Sequence, residues 1–422
     1  MSMFDFGKNR KDARAGMQPV HSIEISSKNK RLRIILAIVA LIVAIVMFAI
    51  VLTNLLTKQS GWQTIKVSSP INNCSSEFVL QYDLGRAGAS ATVEHRQILE
   101  LYTQATARAY RVFHKSLTED GLGNLALINA NPNTVVTVDP LLYQSLEKIS
   151  KSGNRTVYLA EVVSAYGNVF SSESESEALQ HDPTQDEELK AYVQELAQYA
   201  ADAQHVNLVL LGSNSVRLDV SDAYRAVFEE YELVSYLDFG WLKNAFIADY
   251  LAQTLMDGGF TNGYLVSVDG FTRNLDASDT AYSVNIFHRN GVDVYKPAEM
   301  TYRGAISMVN LRDFPQVEED RWRCFVFSDG RAVSTFVDPT DGMSKSSVDS
   351  ILAYSKTATC ADIALSLSDI YIAKQLEHDA LLDLSGKGIV SIWCENDKLY
   401  YSDKTVDIKL VDSKYSAHHL LK

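Results

Sequence analysis

Ile34 to Leu52 is a run of 19 residues without a charge or a strongly polar side chain. As a helix rising about 1.5 Å per residue it would span roughly 28 Å, close to the hydrocarbon thickness of a bilayer. A helix apolar on every side has no polar face to turn to water, and one this long is rare as a core helix. The run is longer than the apolar core of a signal peptide, and no small-residue cleavage site follows it. No Cys follows closely enough to suggest a lipoprotein. Residues 1–33 carry eight Lys/Arg against three Asp/Glu, and the positive flank of an anchor stays in the cytoplasm. The expected layout is a disordered basic cytoplasmic arm over 1–33, a single transmembrane helix over 34–56, a spacer over 57–76 and an extracytoplasmic domain over 77–422. That makes a single-pass plasma-membrane protein whose main domain lies outside.

The 422-residue chain has a net charge of -13, so the local +5 of residues 1–33 leaves -18 on the remainder. An acidic body argues against nucleic acid as a partner, because phosphate binding needs a basic face. Apolar content of 46% is that of a folded protein with a sizeable core. Four cysteines, Cys74, Cys324, Cys360 and Cys394, fit no zinc spacing. Outside the membrane they allow three disulfide pairings, and buried free thiols serve equally well.

The most informative stretch runs from Leu237 to Gly270. Asp238-Phe239-Gly240 is a turn. Apolar residues then recur at helical spacing, at Ala245, Ala248, Leu251, Ala252 and Leu255, within a helix expected over Trp241 to Met256. Gly258 and Gly259 end it, and a strand from Tyr264 to Val268 closes on Asp269-Gly270. A turn at a helix start and a strand ending in glycine together suit a phosphate-bearing ligand. Free helix N–H groups face the anion, and glycine lets the backbone come close. An ordinary turn-helix-strand unit reads the same way.

Around it lie a strand (Glu77 to Tyr82), helices (Val93 to Lys115, Leu141 to Lys151, Asp186 to Ala203) and a hairpin (Val206 to Leu211 with Ser215 to Val220). Residues 171–188 are acidic and of low complexity, and are expected as a surface loop. Strands follow from Tyr282 onward, and a strand pair fills Gly388 to Ile408. Asp362 and Ser366, four apart, share one face of a helix expected over Ala361 to Leu376.

The central stretch resembles the motif of the ApbE-type FAD:protein FMN transferases, roughly DLGGIAKGYAVD, a helix, then GVxNALVNLGGD. Laid without gaps, DFGWLKNAFIAD supplies Asp238, Gly240 and Asp249 at matching places. Trp241 stands for the second glycine, Asn244-Ala245 for Lys-Gly, and Asp269-Gly270-Phe271 for GGD. Asp338-Pro339-Thr340 with Gly342 resembles the family's DPxTG turn, and Ala361-Asp362 with Ser366 its Ala-Asp and following Thr. Thr335 stands where the family has its histidine, and Thr does not titrate usefully. The resemblance covers about Glu77 to Leu410.

The resemblance implies an α+β, T-fold-like ectodomain of mixed sheet and helices. It implies FAD bound near Asn129, Asp238, Gly240, Asn244, Asp269 and Gly270, and Mg held by Asp362 and Ser366. A hard cation with oxygen ligands would neutralise the pyrophosphate. Asn129 also reads as a turn-capping Asn, and Asp362 as a helix cap. An active enzyme would move FMN from FAD to a Ser/Thr of an exported acceptor protein. Ser90, in a turn like a flavinylation site, reads as such an acceptor or as a helix N-cap. Loss of the Lys-Gly, GGD and His positions together favours a catalytically degraded member, or a scaffold that binds a nucleotide or a protein at the membrane surface.

Overall fold

The computed structural model describes residues 30–56, 58–86, 88 and 90–420. The expected arm over 1–29 and parts of the turn before Ser90 lie outside them. The chain divides into two units, 1–58 and 59–422. Of the first, Lys30–Leu56 forms one helix, α1, about 40 Å long at 1.5 Å per residue. Its described side chains, 34–36, 38–49 and 51, are all exposed, and 38–49 is their longest unbroken run. Among the described residues no helix is long and apolar enough to cross a membrane. The expected span over 34–56 therefore rests on the sequence.

The second unit opens with β1 (Gly61–Ile65) and β2 (Phe78–Leu84). The helices α2 (Ala91–Phe113) and α3 (Leu125–Ala130), the strand β3 (Val135–Thr137) and α4 (Pro140–Ser152) follow. Short helices come next, α5 (Ala160–Ala165), α6 (Gly167–Ser171) and α7 (Glu175–Gln180), then the longer α8 (Glu187–Ala201). The hairpin β4 (Val206–Gly212) and β5 (Ser215–Val220) leads through α9 (Asp222–Glu230) to α10 (Lys243–Asp257). The strands β6 (Gly263–Ser267), β7 (Phe271–Asn274), β8 (Ala281–Asn290), β9 (Asp293–Arg303) and β10 (Ile306–Arg312) are consecutive. After the small pair β11 (Cys324–Val326) and β12 (Ala332–Ser334) come β13 (Ser350–Ser355), α11 (Cys360–Tyr371) and α12 (His378–Gly386). The chain closes with β14 (Val390–Glu395), β15 (Lys398–Tyr401), β16 (Asp407–Leu410) and β17 (Ser416–His419).

A nine-stranded sheet in the order β1-β2-β6-β7-β10-β13-β14-β15-β17 forms the spine. Its pairs are antiparallel except β15 with β17. Alternation along the strands splits the side chains between two faces. Leu80, Leu265, Phe271, Val309 and Ile351 pack with α2, α10 and α11 in the main core. Met308, Leu352 and Ile392, on the other face, pack under Ile286, Ala298 and Met300 of the sheet β16-β9-β8. The α10 stripe foreseen from its spacing, Ala245, Ala248, Leu251, Ala252 and Leu255, is buried to 1% exposure or less.

The structure corrects two boundaries. The expected spacer over 57–76 contains β1, an edge strand of the main sheet, whose five residues are too few for a clear period-two signal. Residues 171–188 are not structureless. They carry α7, Ala178 sits fully in the core, and Asp182 is fully buried against Arg331 at 2.5 Å. A half-buried ion pair with the buried Ala178 and Pro183 orders a segment that its composition alone would leave loose.

All four cysteines are free and buried, so none of the three pairings forms. Burial pushes the Cys74 and Cys324 thiols up to about 12, which leaves them protonated and inert.

Arg312 of β10 pairs with Asp320 at 2.5 Å and donates to the Val268 carbonyl at 2.9 Å, fixing the end of β6; both side chains of the pair are 5% exposed or less. Removing one partner leaves a buried charge alone. We expect Asp320→Asn to cost about 3–5 kcal/mol, read as a lowered midpoint of thermal unfolding; an unchanged midpoint would refute the role given to the pair.

Candidate functional site

The Asp238 turn is held from both sides. The Asn129 amide accepts from the Leu237 N–H at 2.9 Å and donates to the Leu237 carbonyl at 3.0 Å and the Lys115 carbonyl at 3.3 Å. Both ends of that side chain are engaged by the backbone, which is the turn-bracing role rather than an adenine contact. Asp238 accepts from the Gly240 N–H at 3.1 Å and pairs with Lys115 at 2.9 Å. Gly240 takes φ +52, the left-handed region that favours glycine.

Asn244 is fully buried. Its Nδ2 lies 2.9 Å from Glu77 and 3.1 Å from both Asp269 oxygens, while its Oδ1 has no partner. Lys243 donates to Glu77 at 3.0 Å, and Arg323 to Asp269 at 3.0 Å. The structure thus brings Asn244 and Asp269 together, as the resemblance implies, but surrounds them with the protein's own charges. Gly270, at φ +105, lies so close to β10 that an added Cβ would come within 2.4 Å of the Asn310 carbonyl. The close backbone approach it permits is to a neighbouring strand.

Asp249 takes the N-terminus of α11. Its two oxygens accept from the Cys360 and Ala361 N–H groups, each at 2.9 Å, and Arg273 pairs with it at 2.5 Å. Helix-start N–H groups of this kind would otherwise suit an anion. Asp362 forms a capping box with Thr359. Lys148 donates to Asp362 at 2.7 Å and to the Thr359 hydroxyl at 3.0 Å. Burial raises the Asp362 carboxyl, but the bonds from Lys148 and Thr359 outweigh it and hold the group below its ordinary value. Ser366 donates to the Asp362 backbone carbonyl at 2.7 Å, so its hydroxyl is folded back on its own helix.

α10 and α11 lie side by side in opposite directions. Asp249 reaches the first turn of α11, whereas Trp241, before α10, packs at a tilt on Phe336 at 5.1 Å, which meets Tyr371 of the last turn edge-on at 4.8 Å. Asp238 and Asp362 therefore sit toward opposite ends of α11, about 18 Å long for 12 residues. Packed aromatic rings fill the Asp238 end, with Trp241 only 5% exposed. Each of these carboxylates pairs with a lysine of its own, Asp238 with Lys115 and Asp362 with Lys148. Thr335 is tied through its backbone N–H to the Arg323 carbonyl at 3.0 Å.

The residues do not fit the group that the resemblance implies. A magnesium ion wants oxygens with free lone pairs, and an ammonium occupies Asp362. Among the described residues no cluster of three or more His, Cys, Asp or Glu is placed to hold a metal. Trp241, where the motif has glycine, is buried against Phe336. Sequence reading matched Asp249 to the motif without giving it a role, and it missed Lys148, Glu77, Arg273 and Arg323. Lys148 stands 214 residues from Asp362, so nothing local announces it.

The Asp338 turn is a second locked element. Lys345 donates to Asp338 and Asp341, each at 2.6 Å, and Gly342 lies against the Val193 carbonyl.

No protein-family model matches the chain, and no curated protein matches it. Among solved structures it is similar to the ApbE protein of Thermotoga maritima, with 14% identity, a TM-score of 0.51, and coverage of 79% of this chain and 94% of that one. It is equally similar to the flavin transferase ApbE of Vibrio cholerae, with 11% identity, a TM-score of 0.51, and coverage of 80% and 94%. The chain has the mixed α+β fold of the ApbE flavin transferases, with little of their sequence.

We expect Asp249→Ala to be among the most damaging substitutions. It strands Arg273 and two helix N–H groups, at a cost of about 3–5 kcal/mol, measured by chemical unfolding; a loss within error of zero would overturn the clamp. A pH dependence follows from Asp338. Burial raises its carboxyl, but Lys345 and Thr340 outweigh that and depress it below 3.8. A depressed carboxyl contributes stability that is complete above its unfolded value and fades as pH falls through the folded one. Asp338→Asn should therefore flatten the acid limb of the stability profile below pH 3.8; an identical limb would count against the pairing.

Proposed function

We propose that this chain is a membrane-tethered, extracytoplasmic module of the ApbE fold that does not transfer FMN and works by binding a partner. One observation carries the reading. At the carboxylate that the resemblance implies for the cation, Asp362 is paired with Lys148 and tied into a capping box with Thr359. Thr335 adds to it, since a threonine hydroxyl offers no proton carrier near neutrality.

The anchor is part of the proposal. Its support is the uncharged run Ile34 to Leu52 with the basic flank before it, which by the positive-inside rule holds the N-terminus in the cytoplasm. In sealed vesicles of known orientation, protease on the extracytoplasmic side should digest 59–422 and spare a tag placed before residue 30.

The activity test uses the full chain in detergent micelles. FAD is titrated with and without magnesium, by calorimetry and flavin fluorescence, and an exported acceptor protein is examined for the mass of added FMN. No magnesium-dependent binding and no added mass are expected. Tight magnesium-dependent binding, or flavinylated acceptor, would replace this reading with that of an active FAD:protein FMN transferase.

A further inference from the structure

The sheet β16-β9-β8 covers only part of the outer face of the main sheet. Over β1, β6 and β7 that face carries a cleft of about 480 Å³ floored by Tyr264, Val266 and Thr272. The start of β8, from Thr280 to Val284, forms its wall. Trp62 stands at the edge, 43% exposed, with its ring 5.7 Å from that of Tyr264 and 6.1 Å from that of Tyr282. A tryptophan so placed is an apolar plate held open to solvent.

β8 is itself an edge strand. Its second half is covered. Ser350 donates to the Phe287 carbonyl at 2.8 Å, and Asp349 accepts from the Arg289 N–H at 2.6 Å and bonds His288 at 3.0 Å. The first half, Ala281 to Asn285, has no strand and no main-chain hydrogen bond on that side among the described residues. Bare edges are usually blunted by Lys, Pro or a bulge. Ala281-Tyr282-Ser283-Val284-Asn285 has none of these, and the bulge in β8 comes after it, between Ile286 and His288.

We propose that the cleft receives an extended segment of a partner protein, which adds to the free edge of β8 as a further strand and seats alternate side chains against Trp62, Tyr264 and Val266. The edge selects the occupant. A row of unpaired N–H and C=O groups is answered by another backbone in extended form, and the apolar floor answers every second side chain. A saccharide would stack on Trp62 and leave the row unpaired. The charge of -18 beyond residue 33 favours a neutral or basic segment through its long-range field. The inference rests on the reading of the chain as a binding module and names the partner class.

The full chain in detergent is used to select from a phage-displayed library of random peptides. The enriched peptide is then synthesised, once with normal amides and once N-methylated at alternate residues. We expect the unmodified peptide to bind and to slow hydrogen exchange at amides within 281–285. Trp62→Ala, with its folding checked by thermal unfolding, is expected to weaken it about tenfold or more, a difference of about 1.4 kcal/mol. One of the two N-methylation patterns should weaken it as much. No enrichment, equal binding by Trp62→Ala, indifference to both N-methylation patterns, or a neutral oligosaccharide bound at Trp62 in place of peptide would each overturn the proposal. Flavin binding in the earlier titration would sink the non-transferring reading and leave these measurements unaffected.

Discussion

The Asp249 carboxylate is the joint on which the interior turns. It projects from the middle of α10, closes the first N–H groups of α11 and pairs with Arg273 of β7. One side chain thus ties two core helices to the sheet beneath them. It satisfies backbone donors that would otherwise be buried without partners, at the end of the helix where negative charge is favoured. The register of α11 follows, because Cys360 and Ala361 are fixed, and with it the placement of Asp362 and Tyr371. An anion arriving at that helix start would have to displace a carboxylate that is already hydrogen-bonded and ion-paired.

The same pairing recurs at the other carboxylates of the stretches whose sequence resembles the motif. Lys148 stands on Asp362, Arg323 and Asn244 on Asp269, Lys115 on Asp238. Each pair neutralises a carboxylate with a residue remote in sequence. A cofactor site works by leaving charges underpaired until the ligand supplies their complement. Here each of these carboxylates has a partner within the protein. Trp241 fills volume in the same region, since its indole packs at a tilt against Phe336 where a glycine would leave space.

Much of this fold could be read in the chain. The stripe from Ala245 to Leu255, the hairpin around Ser213-Asn214 and the Asp338 turn follow from local spacing and turn chemistry, which need no knowledge of the rest. β7 and β13 escaped because one is short and the other runs straight into a loop, so neither shows a period of its own. β1 escaped for the first reason, and it turned an expected spacer into sheet. The site was legible as positions and not as partners. Asp362 reads from the sequence as a metal ligand or as a cap; the structure shows the capping box, and Lys148, which arrives from α4, has no local signal. Asn129 shows the same limit. Its side chain suits a ribose or a backbone equally, and the choice is made by Leu237, 108 residues away.

The two faces of the main sheet have opposite characters, and that contrast locates function better than any motif. The helical face is filled, with its charges paired and its aromatics stacked. The outer face is covered by three strands only in part, and it keeps Trp62 and Val79 more than 40% exposed. Folding has a strong reason to bury such groups, at about 25 cal/mol per Å² of apolar surface. Leaving them open beside an unpaired strand edge carries a steady risk of association with the wrong chain. A surface that keeps both liabilities together is more simply understood as one meant to be covered by something else. What covers it must offer a backbone as well as side chains, because an apolar cap alone would bury the free N–H and C=O groups of β8 without satisfying them.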